Sequence, residues 1–135
     1  MKKISQIRGV RRIRLGSVEP IQITDEFIEI LDEPWWEKHL HIALQHTSPI
    51  MLKLMHRRNV DQQDKELFEL LESKGFAIGT DFITGHPGES EELWLEAMKN
   101  AQELPLTHLH SFTYSKRDGT PSATMKPEVS GNIAK

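Results

Sequence analysis

Four short apolar stretches alternate with four amphipathic ones along this chain, and no internal repeat or low-complexity tract interrupts them. "RIRLGSVE", "HLHIALQ", "FAIGTDFIT" and "THLHSFTY" predict strands. Between them, Thr24 reads as an N-cap before "DEFIEILDE", with acids in the first turn where the helix dipole favours them. Ser48 followed by Pro49 is a second start signal, and Ile50, Met51, Leu54 and Met55 mark one face of the helix it opens. A third helix is predicted from Asp61, with Leu67, Leu70 and Leu71 apolar, to a C-terminal glycine at Gly75. The fourth starts at Ser90, where Leu93, Trp94, Ala97, Met98, Ala101 and Leu104 form one stripe. Its methionine and tryptophan are read as packing residues. Strands alternating with helices of this length predict an α/β fold with a parallel sheet, either doubly wound or curled into a barrel. In both architectures the chemistry sits at the carboxyl ends of the strands.

Those ends are "GSVEP", "LQHTSP", "TGHPGE" and "TYSKRDGTP". A loop that only connects needs glycine and proline, but not Ser17, Glu19, Gln45, Asp81, Glu89 and Lys116 gathered at one rim. Two H-x-H pairs, His39 with His41 and His108 with His110, place imidazoles on one face of their strands, where a pair with Asp81 could hold zinc as in barrel metallohydrolases. Both pairs begin their strands, so a parallel sheet puts them at the end opposite the rim. They are therefore expected to be structural or solvated, and no metal ligand is assigned.

At 135 residues and 15.6 kDa, with 37% hydrophobic and 27% charged residues, the chain is expected to fold as one domain. There is no apolar stretch of membrane-spanning length and no signal-peptide core, so a soluble cytoplasmic protein without membrane contact is expected. The net charge of -3 gives no global positive field to draw nucleic acid. The charge is uneven, because Lys2, Lys3, Arg8, Arg11, Arg12 and Arg14 all precede the first acid, Glu19, a segment read as solvated or facing a partner. The absence of cysteine removes disulfides, thiolate zinc sites, thiol nucleophiles and cysteine-ligated iron–sulfur clusters.

Taken in order, "RIRLGSVEP", "HLHIALQ", "LKLMHRRN", "GTDFITGHPGES" and "YSKRDGTPSATM" resemble the radical S-adenosylmethionine methylthiotransferases over nearly the whole chain. Such enzymes attach a methylthio group to an adenosine beside the tRNA anticodon or, in one branch, to a ribosomal-protein aspartate. The resemblance implies a partial six-unit (βα) TIM-like barrel, of which this chain matches the last four parallel βα units. Residues 1–11 would then be the end of a preceding helix, 12–122 the four units and 123–135 a C-terminal linker. It also implies S-adenosylmethionine as cofactor. Ser17 and Glu19 would face its polar atoms, Gln45 its ribose region, and Arg57 or Arg58 its carboxylate through a bidentate guanidinium. Asp81 belongs to the same rim. Gly85 and Gly88 would let the adenine ring approach backbone that a Cβ would block.

Two departures limit what is carried over. The family has small residues where this chain has His46 and Thr47, and "LQHTSP" resembles the ribosomal-protein branch, whereas "RIRLGSVEP" and "YSKRDGTPSATM" resemble the branch that modifies C2 of N6-threonylcarbamoyladenosine in tRNA. The longer matches favour tRNA as the partner of the parent protein. The family's 4Fe-4S clusters need cysteines, and this chain has none. It is therefore expected to be a fragment that is inactive alone, carries no catalytic residue and lacks the N-terminal half of its barrel. Its first strand would be left with an unpaired edge, favouring self-association. Two alternatives remain: a half-barrel that binds S-adenosylmethionine or a partner chain without chemistry, and a metal-dependent barrel hydrolase using the H-x-H pairs.

Overall fold

The computed structural model describes residues 1–58 and 61–134. Asn59, at the end of "LKLMHRRN", and Lys135, at the end of the expected linker, lie outside the described residues. Four strands, β1 (Ser17–Val18), β2 (His39–Gln45), β3 (Ala77–Thr84) and β4 (His108–Thr113), form one sheet in the order β1-β2-β3-β4 with every pair parallel. An unreversed order distinguishes the two candidate architectures. A doubly wound sheet turns back at a switch point, whereas successive neighbours that never turn back are an arc of a barrel.

The predicted strands hold for β2, β3 and β4 within a residue or two, and the first is much shorter than predicted. Only Ser17 and Val18 pair with β2, and upstream of them Ile13 makes an isolated bridge to Trp36. Basic residues alternate with the apolar ones there, and both Arg12 and Arg14 are exposed, so the segment runs along the sheet as an edge. The expected end of a preceding helix is a single turn, α1 (Lys2–Ser5), without a buried residue.

After β1 comes α2 (Asp25–Glu29), capped by Thr24 Oγ1, which accepts from Phe27 N at 3.4 Å. α3 (Pro49–Leu54) and α4 (Asp61–Ser73) lie between β2 and β3. Beyond α4, Gly75 N and Phe76 N donate to Glu72 O and Leu71 O, the paired bonds of a Schellman stop. α5 (Glu91–Gln102) starts where predicted, and Ser90 caps it, its Oγ accepting from Leu93 N at 3.3 Å. Its apolar stripe is mostly half-buried, with only Ala97 fully enclosed. β4 is followed by a 3-10 turn at Pro121–Thr124, with no α-helix after it among the described residues.

One face of the sheet carries the core. Leu40, Ile42 and Leu44 of β2 and Ile78 of β3 pack with Phe68 and Leu71 of α4 and with Leu31, Trp36 and Phe76. Phe68, which the leucine pattern of α4 did not single out, is completely buried. The alternate residues of β2, β3 and β4 face the other way, among them His39, His41, Gly79, Asp81, His108 and His110, with Ile83 and Phe112 beyond them toward the carboxyl ends.

Candidate functional site

The carboxyl ends of the strands are shaped by three local devices. The first is a bulge in β2, where Ile42 pairs with Thr80 but Gln45 pairs with Phe82, so one extra residue enters β2. Buried Thr80 closes it, its hydroxyl donating to Ile42 O at 2.7 Å and accepting from Leu44 N at 3.3 Å. Gln45 leaves the bulge with φ of 68° and joins the wall of the rim cavity.

The second device locks the turn after β3 to the turn after β2. His46 is completely buried, and its Nδ1 accepts from Ser48 N at 2.9 Å, which leaves Nε2 as the donor to Glu89 Oε1 at 2.9 Å. Glu89 Oε2 accepts from Gly85 N at 2.6 Å. A single carboxylate thus fixes the "GHPGE" turn from both sides. Ser48, predicted as a capping side chain, does not cap α3. Its hydroxyl donates instead to Glu96 Oε2 at 2.6 Å, and Thr47 donates to Ala97 O, so both tie the β2 turn to α5. His46 and Thr47, which stood out in the sequence as departures, are the residues that make this junction.

The third device is an ion pair. Arg57 Nη1 donates to Glu19 Oε1 at 3.1 Å, while Nη2 donates to Glu19 Oε2 and to Ala43 O. The guanidinium expected to take a ligand carboxylate is held by a carboxylate of the chain itself, and Glu19 has both oxygens engaged. Arg58 is exposed.

Beneath these devices lies a cavity of about 700 Å³. Of the predicted residues, Gln45, Arg57 and Asp81 line it, joined by Ile83, His86 and Tyr114. Glu19 reaches it through Arg57. Ser17 is exposed on β1 and is not part of its wall. Gly88, with φ of 91°, faces Leu54, where a Cβ would stand 3.1 Å from the Leu54 side chain. Gly85, with φ of 74°, is packed against the chain's own final segment, since a Cβ there would meet Ala134 at 2.3 Å and Thr84 Oγ1 donates to Ala134 O. The expected place of an adenine ring over Gly85 is thus taken by Ala134. Burial of His86 pushes its pKa down, opposed by its bond to Pro87 O and by nearby Glu89.

Two buried polar atoms at this cavity have no hydrogen-bond partner, Arg57 Nε and the Tyr114 hydroxyl. A buried donor left unpaired is costly, so their position at an open cavity fits a polar ligand. S-adenosylmethionine meets that description in size and polarity. An iron–sulfur cluster does not fit this chain, which offers no thiolate.

The histidine pairs are less remote from the rim than expected. His39 and His108 do begin their strands, but β3–β4 pairing sets Asp81 opposite His110, and His41 Nε2 reaches Asp81 Oδ1 at 2.9 Å. One histidine of each pair, His41 and His110, therefore meets Asp81, which itself lines the cavity.

No protein-family profile matches the chain. A Helicobacter pylori protein named "Putative methylthiotransferase" is 60% identical over 130 residues, which cover 96% of this chain and 31% of that protein. The Bacillus subtilis threonylcarbamoyladenosine tRNA methylthiotransferase MtaB is 40% identical over 96% of this chain and 29% of its own length. The ribosomal protein uS12 methylthiotransferase RimO of Pelobacter propionicus is 39% identical over 98% of this chain and 30% of its own. Its relatives are methylthiotransferases. The chain spans about 30% of the length of the curated relatives it matches. Among solved structures, Escherichia coli coproporphyrinogen III oxidase HemN, a radical SAM enzyme, superimposes with a TM-score of 0.74 at 20% identity, over 87% of this chain and 28% of that one. The radical SAM methyltransferase TsrM of Kitasatospora setae superimposes with a TM-score of 0.66 at 17% identity, over 79% of this chain and 21% of that one. The four-stranded parallel sheet shares its fold with part of these solved structures. Among the described residues no helix is long and apolar enough to cross a membrane.

Proposed function

We propose that this chain works as the S-adenosylmethionine-facing part of a tRNA methylthiotransferase of the cytoplasm, acting on C2 of N6-threonylcarbamoyladenosine. The observation that carries the reading is the cavity at the strand ends. Arg57 Nε and the Tyr114 hydroxyl are left without partners there, in a chain whose relatives are methylthiotransferases throughout. In this reading Arg57, braced by Glu19, and Tyr114 orient the polar atoms of the cofactor, and Gln45 contacts its ribose. The His46–Glu89–Gly85 lock keeps the β3 turn from collapsing into the site. S-adenosylmethionine, when bound beside a 4Fe-4S cluster held by other segments, supplies the radical and the methyl group. The residues of this chain bind, orient and exclude water, and without thiolates the chain alone is inactive.

Calorimetry on the chain tests the pocket. Wild type should bind S-adenosylmethionine, and Tyr114→Phe and Arg57→Ala should each weaken it; equal binding by all three would remove the pocket from the reading. The substrate is tested in cells lacking the gene that contains "GTDFITGHPGES". Loss of the methylthio nucleoside from digested tRNA supports the tRNA reading. An unchanged tRNA digest with a lighter ribosomal protein uS12 would move the assignment to the RimO-like branch, whose representative is nearly as similar.

A further inference from the structure

The open face of the sheet carries a group of side chains that the methylthiotransferase reading does not use. Gly79 lies between the two histidine strands, paired with His41 on one side and His108 on the other. With no side chain at Gly79, the His108 ring lies across β3. A Cβ at that position would stand 2.0 Å from His108 Nε2. His108 stacks on His39 with ring centroids 5.2 Å apart, and His41 and His110 approach each other at the same centroid distance. Four imidazoles and one carboxylate thus share one patch.

From this geometry we infer a binding site for a late first-row divalent ion, Zn²⁺ or its analogues, made by His41, Asp81 and His110. The three offer ligand atoms that all lie within 4.8 Å of one another. His41 Nε2 is 2.9 Å and His110 Nδ1 is 3.6 Å from Asp81 Oδ1. Two ligand atoms bound at zinc distances in a tetrahedral site stand about 3.4 Å apart, so these separations bracket the requirement. Two imidazoles and a carboxylate suit zinc, cobalt or nickel better than magnesium or calcium, which prefer oxygen ligands throughout. Asp81 lines the rim cavity, so the remaining coordination position opens toward it and takes water or a small ligand. The site shares Asp81 with the wall of the rim cavity, while its two histidines have no part in the S-adenosylmethionine reading.

The test is a titration of the chain with ZnCl₂ followed by calorimetry, and with CoCl₂ followed by visible absorption. The expected result is saturation at one ion per chain, with cobalt bands of four-coordinate intensity and proton release on binding. His110→Gln removes a ring that is more than half exposed and leaves the fold intact by far-ultraviolet circular dichroism. It should weaken zinc by more than about a hundredfold, beyond what loss of a supporting hydrogen bond costs. His41→Gln and Asp81→Asn should do the same, while His56→Gln, an exposed histidine outside the cluster, should bind as wild type. No saturable binding, or equal binding by wild type and His110→Gln, overturns the assignment.

Discussion

The two faces of the same three strands are built on opposite rules. On the helix-covered face, Leu40, Ile42, Ile78 and Phe82 are almost fully enclosed. On the open face, imidazoles, a carboxylate and a glycine occupy the alternate positions, and Phe112 remains 54% exposed. The period of two that generates a sheet is shared by both faces, so the difference lies entirely in what each face must meet. One meets helices and contributes stability, and the other faces solvent and, at its carboxyl end, the rim cavity.

The largest effect that sharpens this contrast is expected from Phe82→Ala set against Phe112→Ala. Phe82 is enclosed against His46 and edge-on to Trp94, with centroids 4.7 and 6.0 Å away. Its truncation should cost about 3–5 kcal/mol in urea unfolding. Phe112→Ala should stay within about 0.5 kcal/mol, as for a surface change. Similar costs at the two sites would mean that the open face is covered in solution, most simply by a second copy of the chain.

Next in size is the lock that joins the two faces at the rim. His46→Ala leaves Ser48 N and the Glu89 carboxylate without their partner in a buried place, and should cost about 2–3 kcal/mol. It should also weaken S-adenosylmethionine binding, since Gly85 N is held by the same carboxylate. A stability loss with unchanged cofactor affinity would separate the lock from the pocket. Gly79→Ala probes the open face itself. The new methyl overlaps the His108 ring, which must swing away from His39, at about 1–3 kcal/mol. A cost near zero would show that the ring packing is loose and the patch not preorganised.

How much of this was legible in the sequence follows the same division. Three strands, the Thr24 cap, the helix start at Ser90 and the apolar stripes were readable because they are local, set by side-chain period and by the residue at a helix start. The short first strand was misjudged because Arg12 and Arg14 alternate with apolar residues in a strand-like way, yet find no partner strand on their far side. Gln45 and Asp81 were readable as rim residues from their place at strand ends, and Arg57 only through the family resemblance. Arg57 pairing with Glu19, Ala134 packing on Gly85 and the meeting of His41 and His110 at Asp81 were not, since each joins residues far apart in sequence through register or a returning segment. The H-x-H pairs were visible, but their distance from the rim was judged along the strand alone. The register between strands brings one histidine of each pair to Asp81 instead.

The smallest effect concerns protons and distinguishes the faces once more. Burial lowers the pKa of His39 on the open face and of His86 at the rim. In the unfolded chain both titrate near about 6.5. As pH falls below that value the unfolded chain gains protons that the folded chain refuses, so stability declines through the interval between the unfolded and the lowered folded values and is level above it. Around His86 stand Glu89, which opposes the shift, His46, which adds to it, the Tyr114 ring and Pro87 O. Urea midpoints taken from about pH 7.5 to about pH 5.5 should therefore fall for wild type and fall less for His86→Gln, which carries no titrating group. Equal declines would assign the acid sensitivity to the open-face histidines, and repeating the series with saturating zinc would then show whether the metal removes it.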